Sequence, residues 1–150
     1  PWLATACCSS TGTCATRERT GQSGTWILPS MVQAYEQLHN EGIAHSVETW
    51  IDGKLVGGLY CIALGKAVFG ESMFAYATDA SKIALAALVC IAREHGIPWI
   101  DCQQNTRHLA SLGAKEIPRD LFLTGIQTLH RQPEIPWGFK SVYWSQLLPN

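Results

Sequence analysis

The chain has 150 residues, 47% of them hydrophobic, with 11 basic against 12 acidic side chains and a formal net charge of −1. That describes a single globular domain, long enough to bury roughly two thirds of the surface its unfolded chain exposes without a disulfide or metal staple. Balanced charge argues against an autonomous nucleic-acid binder, which carries a basic excess or stripe, and no apolar run reaches the length of a membrane span.

Residues 1–25 show no hydrophobic period and read as an extended or irregular lead-in. They are rich in Ser, Thr and Gly and poor in acids, so a transit remnant is the less favoured alternative, and they lack the basic start and long apolar run of a secretory signal. The chain begins at Pro1, so a portion upstream is expected to be missing. Three of the six cysteines, Cys7, Cys8 and Cys14, fall in this stretch. Cys61 and Cys90 have apolar neighbours, and Cys102 stands between two polar residues. No CxxC pair occurs, and the set reads as reduced thiols in a cytoplasmic protein.

Residues 26–150 read as the domain proper. Ser30 opens a helix through MVQAYEQLHNEG, with Met31, Ala34, Tyr35 and Leu38 on one stripe and Gly42 as its stop. Val47, Thr49 and Ile51 alternate with Ser46, Glu48 and Trp50, and Asp52-Gly53 is a two-residue hairpin turn. Strands follow over Lys54–Leu64 and, after Gly65-Lys66, over AVFGESMF, giving an antiparallel meander. TDASKIALAALVCIAREHG is the strongest helix. Asp79 or Thr78 can cap it, Gly96 ends it, and its nearly all-round apolar surface predicts burial. IPWIDCQ is a short strand, NTRHLASLGA a short helix and AKEIP a candidate strand. PRDLFLTGIQTLHRQ is a helix, and KSVYWSQLL a final strand or short helix. The fold class is therefore α+β, a mixed and mostly antiparallel sheet flanked by helices.

Strand alternation places Trp99, Asp101 and Gln103 on one face and Ile100 and Cys102 on the other. An acid and an amide side by side at the tip of an apolar strand can orient an amine and take its proton. The plainer role for Asp101 is to cap the next helix or bond to a turn. In FGESMF the same alternation puts Glu71 between Phe69 and Met73, either at an exposed sheet edge or in the same cleft as Asp101 and Gln103. Trp26 can stack on a base or serve as a core or lid residue. The five histidines, His39, His45, His95, His108 and His130, have no metal-ligand spacing, and no metal is expected. The order of meander, long helix, strand and short helix ending in Leu-Gly-Ala is similar to the N-acetyltransferase (GNAT-like) fold. In that fold a Gly-rich loop precedes the long helix and holds the pyrophosphate of coenzyme A. Here AYATDASK has no glycine, which disfavours a CoA thioester as donor.

GTWI at 24–27, AYEQLHNEGIAHSVETW at 34–50, LVGGLY at 55–60, FGESMF at 69–74, IDCQ at 100–103 and HLASLGAKEIPR at 108–119 closely resemble the leucyl/phenylalanyl-tRNA–protein transferases. The resemblance covers about residues 14–125 and implies an acetyltransferase-like catalytic domain. It implies transfer of Leu or Phe from aminoacyl-tRNA to the N-terminal amine of proteins beginning with Arg or Lys, a signal for degradation, with aminoacyl-tRNA as donor and no separate cofactor. It assigns Asp101 and Gln103 to work together, with Gln103 as orienter and relay polarised by Asp101. Glu71 would hold an amino group, and Trp26 would stack on the terminal adenine. Leu59, Met73 and Ile100 would line an apolar side-chain pocket, Leu59 standing where Met is more usual. The family carries an N-terminal domain with part of its basic tRNA surface, and the first dozen residues here do not match. Other readings are a transferase acting on a small peptide or metabolite, or a non-catalytic domain binding basic N-termini or RNA ends.

Overall fold

Two tight turns decide the topology. Asp52 and Gly53 both adopt positive φ, 50° and 73°, the mirror-image geometry that joins twisted antiparallel strands. They link β2 (Ala44–Ile51) to β3 (Lys54–Leu64), and Gly65-Lys66 link β3 to β4 (Ala67–Ala75). The computed structural model describes residues 2–4 and 29–147. Within them a five-stranded sheet runs β1-β2-β3-β4-β5 in space as in sequence. β1 (Trp2–Ala4) lies antiparallel on β2, so this part of the lead-in is extended and paired. β5 (Ile100–Asp101) is the one parallel strand, reached through the long helix α2 (Ala80–Glu94).

Helix α1 (Pro29–Asn40) begins one residue before Ser30, so Ser30 lies inside it. It covers one face of the sheet, where Met31, Val32, Tyr35 and Leu55 pack around Tyr60 and Phe74. The other face carries α2. Val47, Leu59, Cys61 and Val68 meet Ala84, Ala87, Leu88 and Ile91 there. Alanines let the helix approach closely, and so does Gly57. A Cβ on Gly57 would lie 2.5 Å from the Ala80 Cβ and 2.7 Å from its carbonyl carbon. Thr49 secures the same contact by donating its hydroxyl to the Ala80 carbonyl at 2.9 Å.

Several local expectations are corrected. Asp79 sits at the start of α2 with φ 61°, but its carboxylate makes no cap bond and instead pairs with Lys82 at 2.7 Å. The side chains on both faces of β2 are buried: Ser46, Glu48 and Thr49 are all inaccessible, because α1 and α2 cover opposite sides. Glu48 is tolerated there because the Trp50 indole donates to it at 3.1 Å and Ser46 lies at 3.5 Å. AKEIP forms no strand. α3 (Arg107–Ser111), capped by Thr106, leads through it to α4 (Arg119–Leu129). The C-terminal stretch is a 3-10 helix over Ser141–Leu147, and with Trp137 and Phe139 it packs against the α2-side core. His45 stacks on Trp137 with ring centroids 4.1 Å apart.

Candidate functional site

β4 and β5 are joined at only two positions, Val68 with Ile100 and Phe69 with Asp101. Beyond them the two parallel strands have no further pairing. An opening at the carboxyl ends of parallel strands, where the sheet changes direction, is where α/β folds place ligands. The sequence puts Glu71 on one side of that opening and Gln103 on the other.

Glu71 gets there through a bulge. Tyr60 pairs with Ser72 and Cys61 with Gly70, so Glu71 has no partner on β3. The extra residue shifts the alternation of β4. Met73 packs with the α2-side core and Phe74 with the α1-side cluster, while Val68 is again on the α2 side. Phe69, Glu71 and Met73 therefore do not share a face, contrary to the simple alternation. Glu71 points toward α1, and the bulge at it returns Met73 to the α2 side, a kind of irregularity common beside sites.

Gln103 gets there through a turn. β5 ends at Asp101, and Gln103 has φ 60°, a left-handed conformation that costs a non-glycine residue about 1 kcal/mol or more. Asp101 holds it: its Oδ1 accepts the Gln103 backbone N–H at 2.8 Å, an Asx-type turn. The expected line of Trp99, Asp101 and Gln103 along one strand face thus breaks after Asp101. The plainer role for Asp101, bonding to a turn, is what the structure contains, and the turn is what positions Gln103.

The two routes converge on one carboxylate. Gln103 donates Nε2 to Glu71 Oε1 at 3.0 Å, and Tyr35 on α1 donates its hydroxyl to Glu71 Oε2 at 2.9 Å. The Tyr35 ring is itself set edge-on against Tyr60, with centroids 4.9 Å apart. Tyr35 appears in the sequence only as part of a helical apolar stripe. The signal that could single it out is a hydroxyl on the sheet-facing side of that stripe. Gln103 uses one of its two amide N–H groups on Glu71, which turns its carbonyl oxygen and the second N–H to a ligand.

On its other side Gln103 borders a cavity of about 1040 Å³ between α2, β5, α3 and α4, whose wall also includes Ile100, Asp101 and Cys102. Burial, and then the neighbouring Asp101 charge, push the Cys102 thiol up, so it is a poor nucleophile. Leu59 is a core residue at 4% exposure, facing Met73 across the β3–β4 pair, and Met73 and Ile100 are partly buried against the same core. Of these three, Ile100 reaches the cavity wall. Trp26, Cys7, Cys8 and Cys14 lie outside the described residues. Among the described residues no group of His, Cys, Asp and Glu could hold a metal ion, and no helix is long and apolar enough to cross a membrane.

Residues 6–127 match the family model described as leucyl/phenylalanyl-tRNA protein transferase. Relatives carrying that name include one from Polaromonas sp., 64% identical over 135 residues, and one from Albidiferax ferrireducens, 62% identical over the same length. Each alignment takes in 90% of this chain but 53% of the relative, so the chain spans about half the length of the curated relatives it matches. A ribosomal-protein-alanine N-acetyltransferase from Brucella melitensis superimposes with a TM-score of 0.51 at 15% identity, covering 77% of this chain and 91% of that one. This is a likeness of fold, and it agrees with the acetyltransferase-like architecture. With the family model spanning most of its length, the chain belongs to the leucyl/phenylalanyl-tRNA protein transferase family.

Proposed function

We propose that the Tyr35–Glu71–Gln103 cluster is the centre of an aminoacyl transfer, in which an amine attacks the ester of leucyl- or phenylalanyl-tRNA. The observation that carries this reading is the shared Glu71 carboxylate, bonded by Gln103 at 3.0 Å and by Tyr35 at 2.9 Å in the opening between β4 and β5. The amine nitrogen bonds to the ester carbonyl carbon and loses a proton, and the ribose oxygen leaves and gains one. Gln103, with Nε2 held, presents Oε1 to an N–H of the attacking amine and orients its lone pair. Glu71 keeps acceptor capacity on both oxygens and can hold the ammonium of the aminoacyl group. Asp101 acts through the backbone of Gln103, fixing the turn, so its influence on the amide is by position first.

Leu59, Met73 and Ile100 are assigned to the apolar aminoacyl side chain, and such residues separate side chains only modestly by size. Trp26 is assigned the stacking contact with the terminal adenine. The acceptor is a protein beginning with Arg or Lys, and the reaction serves protein degradation in the cytoplasm, where charged tRNA is found. An ester of tRNA is already activated, so no further cofactor is required. The stretch AYATDASK before and into α2 has no glycine to wrap a pyrophosphate, which supports a donor other than coenzyme A.

The test is transfer of labelled Leu or Phe from its tRNA to a peptide beginning with Arg, against a peptide beginning with Ser. Label on the Arg peptide alone, abolished in Gln103→Ala, is the expected outcome. Equal transfer by Gln103→Ala would remove the cluster from the chemistry. No transfer by a folded chain that binds the charged tRNA would leave the domain short of the activity assigned to it.

A further inference from the structure

The cavity beyond Gln103 has features that the transfer chemistry does not use. Trp99 and Phe122 stand side by side in its wall, with ring centroids 5.4 Å apart. The arrangement is built: Gly125 on α4 leaves room for the Trp99 ring, and a Cβ there would come within 2.9 Å of it. Both rings are partly exposed, although large aromatics of a core would be covered. Arg93, Lys115 and Arg119 line the same cavity, and all three are exposed.

The charges around the cavity are unequal in their partners. Among the described residues the single ion pair is Lys82 with Asp79, so none of the three cations is matched by a carboxylate. Arg93 bonds to the Gln146 carbonyl, which is neutral and leaves its charge standing. The two acids in the wall also bond only to neutral groups, Asp101 to the Gln103 backbone N–H and Glu116 to the Asn105 amide, both at 2.8 Å, so their charges stand as well and the three cations outnumber them. The cavity thus offers a small excess of positive charge and aromatic faces. That combination fits a single-stranded nucleic acid, whose bases stack on any π face and whose phosphates seek cations.

We propose that this cavity holds the unpaired nucleotides next to the terminal adenosine of the donor tRNA, stacked on Trp99 and Phe122, with phosphates on Lys115, Arg119 and Arg93. The assignment rests on the transfer reading above, since it leads the RNA strand to Gln103, which borders the cavity. A volume of about 1040 Å³ lies at the upper end of ordinary ligand sites and accommodates a short run of nucleotides. The acceptor peptide is the competing occupant. Its basic first residue would meet three cations against two carboxylates there, and the excess of positive charge disfavours it.

The experiment is a titration of the full chain with a single-stranded RNA tetranucleotide of the tRNA 3′-end sequence, repeated over a range of salt. Binding is expected. In the Lys115→Gln/Arg119→Gln double variant the slope of log affinity against log salt should fall by about 1.4, at roughly 0.7 for each phosphate that is no longer neutralised. Lys115→Gln alone should give about half of that fall. Phe122→Leu, which keeps the apolar bulk but removes the π face, should weaken binding by ~5- to ~150-fold with an unchanged slope. In the transfer assay the double variant should raise KM for aminoacyl-tRNA and leave KM for an aminoacyl-adenosine donor unchanged. No RNA binding by the parent chain overturns the proposal. So does an unaltered salt slope in the double variant, or a KM change confined to the Arg peptide, which would give the cavity to the acceptor. RNA binding that follows these variants in a chain showing no transfer would uphold the cavity and refute the transfer reading alone.

Discussion

Replacing Tyr35 with Phe removes one oxygen atom and should leave the fold in place. The ring keeps its edge contact with Tyr60, and no residue of α1 is fully buried, so little stability depends on the hydroxyl. What disappears is a 2.9 Å bond to a carboxylate in a partly buried setting. Hydrogen bonds to charged groups contribute about 1.5–3 kcal/mol. If that holds Glu71, and through it Gln103, in the geometry the reaction needs, kcat/KM for transfer should drop by about 10- to 150-fold. The assay is single-turnover transfer from labelled phenylalanyl-tRNA to an Arg peptide, with thermal unfolding measured alongside. Because Tyr35 and Gln103 act on the same carboxylate, Tyr35→Phe and Gln103→Ala should combine to less than the sum of their separate losses. Strictly additive losses, or full activity in Tyr35→Phe, would refute the reasoning, since each means that the two side chains do not act through Glu71.

Asp101→Asn should retain most activity and Asp101→Ala should lose more, because an Asn side-chain oxygen can also accept the Gln103 amide; equal losses in the same transfer assay would instead assign the role to the negative charge. Gly57→Ala should destabilise the domain by about 1–3 kcal/mol, lowering the unfolding temperature by several degrees, because the added methyl has no room beside Ala80. His45 is lowered to about 4, mainly by burial, so the fold holds it neutral. The unfolded chain binds this proton near pH 6.5, hence the His45 contribution is whole above that pH and is lost as pH falls toward 4. Denaturant unfolding at pH 7 and pH 5 should show the parent chain losing more stability than His45→Phe between those pH values.

Much of the architecture is legible in the residues because it depends on local rules. Asp52-Gly53 can hardly be other than a tight turn, and the alanine-rich run after Asp79 can hardly be other than a buried helix. The errors arise where one residue breaks a period. Alternation through FGESMF assumes an unbroken ladder, and the surplus Glu71 is visible only once β3 is alongside. Alternation through WIDCQ assumes a strand as long as its apolar pattern, whereas the side chain of Asp101 captures the backbone two residues on and turns it. Glu71, Asp101 and Gln103 stand out in the sequence as polar residues among apolar ones. Tyr35 does not, because a tyrosine on a helical stripe looks like packing until its hydroxyl is seen 2.9 Å from a carboxylate. The cavity between α2, β5, α3 and α4 is likewise not legible, since four separate segments contribute to it.

The bulge in β4 also divides the labour of the strand between its residues. Gly70 opposite Cys61 and Ser72 opposite Tyr60 are consecutive rungs of the ladder, and Glu71 is spare between them. Excising Glu71 would join Gly70 directly to Ser72 and leave a regular strand, with Met73 still toward α2 and Phe74 still beside Tyr60. The scaffold has no use for this residue, whereas the carboxylate that gathers Tyr35 and Gln103 exists only because of it. Sheet and site can therefore vary separately: a chain one residue shorter here would keep both layers of its core and have nothing at the centre of the cluster.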